Sequence, residues 1–462
     1  MTVRIPPSFP AEAAAWRILD DSGATVQSGK LSQEISRDIY VGKLGIGWYR
    51  IEFLDEDGGC LNWTSAAVLA KLAAPIPQDS PICVDGAVAW FAKDDPANQE
   101  SMARLAALAG VNWIRDRMKW NEIEPQPDRF AEKTTYDTAA DLQAHHGLKI
   151  LQVFHSVPEW VAEDSSSRGR FPADLRFLYK FCKAMSERYK GRVQAWEPWN
   201  EANAHDFGGH TVDEMCTMQK AAYLGFKSGD PEITVGWNAY AGVPTDLHTK
   251  GVLANETWPY FDTYNIHTYD WPESYQNLWG PVREAACGRP IWVTESDRGM
   301  ECQTGEPWCD FSQENEIKKA KFMAQSYVSS LFAGCNRHFH FILGHYTGGR
   351  NKIQFGLLRF DQTPRPSYVA LAALGRLLAG GKCMGRWRID GEPYAHVYAF
   401  RAKPDGIDRD VLIAWAEKPS DWSRKGITSV AWSIPEEIQV KAIYDYRDIR
   451  LTPVTPISCG LG

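Results

Sequence analysis

The chain has 462 residues, 44% hydrophobic and 23% charged, which leaves room for two or three domains around a large core. A net charge of −8 without any basic run argues against a nucleic-acid partner. No apolar run approaches the roughly 18 residues that a membrane-spanning helix needs, so no membrane span is expected.

The N-terminus, MTVRIPPSFP, lacks the apolar core of a signal peptide. A cytoplasmic chain is expected, or a secreted or periplasmic one whose leader has been removed. Oligomeric state is not encoded in any of these signals.

Residues 1–78 read as a small β domain. The runs Trp16–Leu19 and Ile46–Leu54 alternate like strands, with turn signals at Asp20–Gly23 and Asp57–Gly59. Pro75, Pro77 and Pro81 mark a linker.

From 79 to 378 short β-branched or aromatic runs alternate with helical stretches, the pattern of a parallel α/β domain. Eight strands are expected: 82–90, 111–115, 149–155, 193–201, 233–238, 261–269, 290–295 and 337–343. Helices are expected between them, among others over 98–109, 175–189, 212–227 and 313–332. Eight such units fit a (β/α)8 barrel, the TIM barrel. No phosphate-cradling Gly-rich fingerprint follows the first strand, so a dinucleotide cofactor is not expected. Residues 379–462 return to short strands (394–400, 411–415, 430–434 and 440–446), a C-terminal β domain that packs on the N-terminal one or stands alone.

Two strings carry the chemistry: Trp196-Glu197-Pro198-Trp199-Asn200-Glu201 and Ile291-Trp292-Val293-Thr294-Glu295. Each is an apolar run ending in a carboxylate, an expensive group to leave at the tip of a buried strand unless it has a task. Two such groups at the C-terminal ends of parallel barrel strands face each other across the mouth. One protonated and one ionised carboxyl group flanking a bond is what glycosidic cleavage requires. Other strand ends add Arg115, His155, His267 and Tyr269. A nearby Arg and a tyrosine hydroxyl keep a nucleophilic carboxylate ionised beside a second carboxyl group. An Asn just before the acid, here Asn200, is placed to bond a sugar 2-hydroxyl. Glu197 lies inside its strand and is expected to be a buried partner of an Arg.

GVNWIRDRMKW, ILQVFHSVPEW, QAWEPWNEAN, FDTYNIHTYD, IWVTES and FGLLRFDQTPRPSYVAL, in this order over roughly residues 80–375, resemble the retaining β-glycosidases of glycoside hydrolase clan A. Within the clan the resemblance is to family 39, with family 5 as a neighbour. It implies Glu201 as general acid/base, Glu295 as nucleophile and Asn200 as the 2-hydroxyl contact. It further implies Arg115 and Tyr269 as partners of the nucleophile, and His155 and His267 as donors to substrate. Flanking β domains are also usual in the clan. Many clan members end strand eight with a Trp beneath the reacting sugar. Here the strand reads HFHFILGHYTGG, and His345 or Tyr346 is the expected substitute.

With nineteen Trp in the chain, most are expected to pack the core and a few to stack on sugar rings. Trp120, Trp160, Trp199, Trp271, Trp279 and Trp308 are the loop residues placed for stacking. The expected partner is therefore a carbohydrate. The competing functions are a sugar-binding protein with an inactive barrel and a transglycosidase using the same residues. Among the cysteines, Cys83, Cys182, Cys216 and Cys335 sit in apolar contexts and are expected to be buried thiols. Cys302 and Cys309 bracket CQTGEPWC, where an oxidising compartment would allow a disulfide. They lack CxxC zinc spacing, so no metal is expected.

Overall fold

A computed structural model describes residues 2–4, 12–31, 38–73, 80–162, 169–301, 309–348, 353–392, 394–416, 430–431, 434, 438–451 and 458–459. At its centre eight parallel strands form one sheet: β1 (Ile82–Asp85), β2 (Trp113–Lys119), β3 (Lys149–His155), β4 (Ala195–Pro198), β5 (Thr234–Val235), β6 (Tyr264–Thr268), β7 (Ile291–Ser296) and β8 (Cys335–Phe341). The strand order is β5-β4-β3-β2-β1-β8-β7-β6, so consecutive strands are neighbours throughout. Single parallel bridges, Gly236 to Thr263 and Tyr240 to Ile266, join the two edge strands and close the sheet. The fold is a (β/α)8 barrel.

Several strands differ in extent from the sequence expectation, each for a local reason. β1 stops at Asp85 because the Gly86 and Ala87 amides turn back to the Arg115 carbonyl and Ala87 takes φ 41°. Residues Val88–Phe91 are then a short helix, pinned where buried Asp116 accepts from the Ala89 amide. β2 runs on to Lys119 because it pairs residue by residue with β3. β5 is only two residues long because the Gln219 side chain takes over the ladder, donating to the Gly236 carbonyl and accepting from the Asn238 amide.

The surrounding helices start where side chains satisfy their free amides. Thr211 with Glu214 opens Val212–Gly229, and Ser312 opens Gln313–Phe332. Leu175–Arg188 packs closely on Val212–Gly229 through Gly225, where a Cβ would stand 2.5 Å from the Tyr179 carbonyl oxygen. Cys83, Cys182, Cys216 and Cys335 are buried.

Inside the barrel the period-2 alternation of strands stacks side chains in layers. The lower layer is apolar: Cys83, Trp113, Leu151, Ala195, Trp292 and Phe339. Two residues further along their strands come Asp85, Arg115 and Glu197, a charged layer with 0% exposure. The catalytic chemistry expected at the mouth therefore rests on a buried ionic floor.

Four antiparallel strands, Ala15–Asp20, Thr25–Lys30, Gly47–Leu54 and Cys60–Val68, form the N-terminal sheet. It joins the barrel where Trp48 Nε1 and Ser65 Oγ both donate to the Pro364 carbonyl. A three-stranded antiparallel sheet, Lys382–Trp387, Ala395–Ala402 and Arg409–Ala416, follows the barrel. The C-terminal segment reaches the N-terminal sheet, where Asp21 accepts from Arg447 Nη1 at 2.6 Å and from the Tyr446 hydroxyl at 2.5 Å. Among the described residues no helix is long and apolar enough to cross a membrane.

Candidate active site

Glu295, on β7, is 4% exposed at the mouth. Its Oε1 accepts from Arg115 Nη1 at 2.6 Å and from Arg117 Nη2 at 2.7 Å, and its Oε2 accepts from the Tyr269 hydroxyl at 2.6 Å. Burial opposes ionisation of Glu295, but the charges of His267, Arg115 and Arg117 and the Tyr269 hydroxyl outweigh it and hold the carboxyl down at about 2. The same proximity, added to burial, drives the Tyr269 phenol well above its ordinary value, so it remains a donor.

Glu201 lies three residues past the end of β4, in a loop where Trp199 has φ 84° and Glu201 itself φ 44°. A left-handed backbone at a bulky residue costs energy and persists only where its surroundings enforce it. Here it turns the Glu201 carboxylate to His267 Nδ1 at 2.7 Å, and the side chain stays 20% exposed. His267 Nδ1 is also 3.5 Å from Glu295 Oε2. Burial lowers the basicity of His267, yet the two glutamates raise it overall. The two carboxylates thus share one histidine, and oxygen atoms of Glu201 and Glu295 come within 4.8 Å of each other. One carboxylate is sealed among cations; the other meets solvent.

Arg115 is the hub beneath them. Besides Glu295 it donates to Asp85 at 2.8 Å, to Glu197 through Nη2 at 2.5 Å and Nε at 3.1 Å, and to Asn200 Oδ1 at 2.6 Å. With its carbonyl oxygen so engaged, Asn200 presents its NH2 group as a donor. Glu197 accepts also from Asn265 Nδ2 at 2.8 Å. A buried guanidinium fork matched to several carboxylates is a role lysine cannot fill.

Glu201, His267 and Glu295 have the spacing of a metal site. Both Glu295 oxygens are already taken by three donors, two of them guanidinium groups, so a divalent cation there would meet two positive charges. The donor set does not suit a metal.

The structure brings Glu201, Glu295, Asn200, Arg115, His267 and Tyr269 together. His155 stands on the next strand end, its Nδ1 2.8 Å from Ser156 Oγ. Burial and the charges of Arg117 and Lys119 push His155 down to about 4, leaving its ring neutral near pH 7.

Several of the Trp residues expected to stack on sugars do other work. Trp199 is 1% exposed, donates to the Phe207 carbonyl at 2.9 Å and packs edge-on against Phe171 and Phe154. Trp120 and Trp279 are wholly buried. Trp160 spends its indole N–H on the Glu124 carbonyl and packs on Phe177. Trp271 lies under the Arg298 guanidinium at 4.6 Å, and Arg298 in turn donates to the Tyr269 carbonyl. Trp308 and Cys302 lie outside the described residues, and with Cys302 the expected bridge to Cys309. Trp199→Ala is expected to destabilise the protein by about 3–5 kcal/mol, as for other large-to-small core changes. Urea unfolding monitored by circular dichroism measures it, and a loss under 1 kcal/mol would contradict the packing role.

At strand eight the two expected substitutes for the missing Trp stand in different settings. His345 is half-buried beside Phe360 and Thr347. Tyr346 packs edge-on against Phe341 at 5.5 Å. Phe341 is the last residue of β8. It lies 6.1 Å from the Tyr269 ring and 5.7 Å from the Arg117 guanidinium.

Arg117 and Asp85 were also absent from the sequence expectation. Arg117 forms a two-pronged pair with Asp85 at 2.5 and 2.7 Å while holding Glu295. Period-2 alternation was the available signal: Arg117 follows Arg115 by two and must share its face once β2 is known to continue.

The (β/α)8 fold of the chain is shared with solved glycoside hydrolases. A family 39 glycoside hydrolase from the gut symbiont Bacteroides cellulosilyticus WH2 superposes with a TM-score of 0.72 at 19% identity, covering 100% of this chain and 95% of that one. A family 30 endoxylanase from Clostridium papyrosolvens C71 gives 0.57 at 16% identity, over 84% of this chain and 95% of that one. A family 39 β-xylosidase from Caulobacter crescentus gives 0.52 at 17% identity, over 72% and 79%. In sequence, an endo-1,4-beta-xylanase from Geobacillus stearothermophilus is 26% identical over 137 residues, 27% of this chain. The match spans 41% of that relative, less than half its length. No family model matches the chain.

Proposed function

We propose that this chain is a retaining β-glycoside hydrolase, with Glu295 as nucleophile and Glu201 as general acid/base. The observation that carries the proposal is the pair of carboxylates within 4.8 Å, in opposite settings. Retaining enzymes keep their carboxyl groups about 5–5.5 Å apart, whereas inverting ones leave about 6.5–9.5 Å for a water. Glu295, held ionised by three donors, attacks the anomeric carbon from below. Glu201 delivers its proton to the departing glycosidic oxygen. The C–O bond breaks and a glycosyl ester forms on Glu295. Water then attacks the same carbon, Glu201 takes its proton, and the sugar leaves with Glu295 free again. Asn200 is placed to hold the 2-hydroxyl through both steps, and neutral His155 offers a further hydrogen bond to the sugar.

A sugar-binding protein with a spent barrel would need neither the buried carboxylate nor the cations that hold it ionised. Because a solved β-xylosidase, a solved endoxylanase and a curated endo-1,4-beta-xylanase are among the proteins it resembles, β-xylosides are the first substrates to try. Proton NMR of p-nitrophenyl β-xyloside hydrolysis is expected to show β-xylose before mutarotation. An α-anomer as first product would rule out the retaining mechanism.

A further inference from the structure

We propose that Trp90 is the stacking platform for the sugar on the nucleophile side of the cleaved bond, an inference that rests on the glycosidase reading above. Trp90 is 41% exposed, a large apolar ring left in solvent at the rim of a polar site. Exposed aromatics of this size ask for an explanation where a buried one does not. Three observations supply one.

The first is position. The Arg117 guanidinium lies 5.6 Å from the Trp90 ring centroid, and the same guanidinium bonds Glu295 at 2.7 Å. One side chain therefore separates the indole from the attacking carboxylate. Glu201, whose proton goes to the leaving group, stands instead on the loop after β4 and touches His267 on β6.

The second is company. Trp90 stands edge-on to His155, with centroids 6.3 Å apart at 86°, and His155 stands edge-on to Phe207 at 5.6 Å. The three rings make a continuous wall from the loop after β1 to the loop after β4. His155 is neutral near pH 7, so the wall carries hydrogen-bonding capacity without charge at its middle. A sugar offers matching chemistry: C–H bonds on one ring face for the negative face of an indole, and hydroxyls at its edge.

The third is rigidity. Trp90 belongs to Val88–Phe91, and that helix is fixed by Asp116, which accepts from the Ala89 amide, from the Arg117 amide and from Gln143. A platform on a pinned helix costs little entropy on binding.

The test uses the full-length chain in two forms. In a Glu295→Gln background, which binds without turning over, calorimetry measures the Kd for xylotriose. Trp90→Ala is expected to weaken binding about tenfold, which is about 1.4 kcal/mol. Trp90→Tyr, which keeps a ring, is expected to recover most of it. Trp258→Ala, a similarly exposed Trp (46%) that belongs to none of the active-site contacts, is the control and should leave Kd unchanged. In the active chain, KM for β-xylosyl fluoride, whose only sugar occupies the nucleophile side, is expected to rise about tenfold for Trp90→Ala. Unchanged Kd and KM on Trp90→Ala overturn the platform and leave the glycosidase reading standing. A raised Kd for xylotriose with an unchanged KM for the fluoride moves Trp90 to the leaving-group side and also overturns it. Failure of the Glu295→Gln chain to bind xylotriose, cellotriose or mannotriose overturns both.

Discussion

Replacing Glu295 by Ala is expected to lower kcat by at least about ten-thousand-fold on every glycoside the enzyme accepts, good and poor leaving groups alike. Without the carboxylate no covalent intermediate forms, and members of a catalytic pair do not substitute for one another. Steady-state rates on p-nitrophenyl and alkyl β-xylosides measure this, and residual activity above about one per cent on either would assign the nucleophile elsewhere. The variant also has a signature outside kinetics. Glu295 is held at about 2 in the folded protein, below the ordinary carboxylate range. A depressed folded-state value contributes stability that is fully present above the unfolded value, about 4.3, and is lost as pH falls toward 2. Acid unfolding of the Glu295→Gln chain should therefore be flatter across that window than that of the parent.

Glu201→Ala is expected to fail selectively. A positioned general acid contributes about 100- to 10,000-fold, and it does so only where the leaving group needs a proton. The loss should approach the upper figure on an alkyl xyloside. On 2,4-dinitrophenyl β-xyloside the first step should survive, leaving a slowly hydrolysed intermediate. Azide, small enough to enter the space left by the side chain, should then raise turnover and appear in the product as a β-glycosyl azide. Equal losses on both substrates, with no azide effect, would remove Glu201 from the acid role.

What the sequence disclosed, and what it withheld, follows from the range of the forces involved. The barrel was readable because eight apolar runs in regular alternation with helical stretches have few other ways to bury themselves. Glu201 and Glu295 were readable because each ends such a run. The extents of the strands were less so, because side chains remote in sequence set them. Asp116 draws the chain after β1 into a helix, and Gln219 replaces the ladder of β5. The first of these hid Trp90 inside an expected strand, and the pairing of β2 with β3 carried Arg117 past the end of another. Trp199, between Pro198 and Asn200, had the position of a sugar-binding residue and the burial of a core one. Its burial, its packing on Phe171 and Phe154 and its hydrogen bond to the Phe207 carbonyl show which it is. The place of Phe341 likewise depends on contacts with Tyr269 and Arg117, from strands remote in sequence.

The hub formed by Arg115 also bears on how such a barrel can change over generations. Its guanidinium serves Asp85 on β1, Glu197 on β4, Asn200 beyond it and Glu295 on β7, all of them buried. Losing one charged member of a buried set typically costs about 3–5 kcal/mol, because the partner's charge is left uncompensated. Most domains have only about 5–15 kcal/mol in reserve. A single step away from this arrangement consumes a large share of that reserve, which favours inheriting these residues as a block or replacing several together. The rings and loops at the rim, Trp90 among them, carry no such obligation. Sugar preference can drift there while the reaction beneath stays fixed.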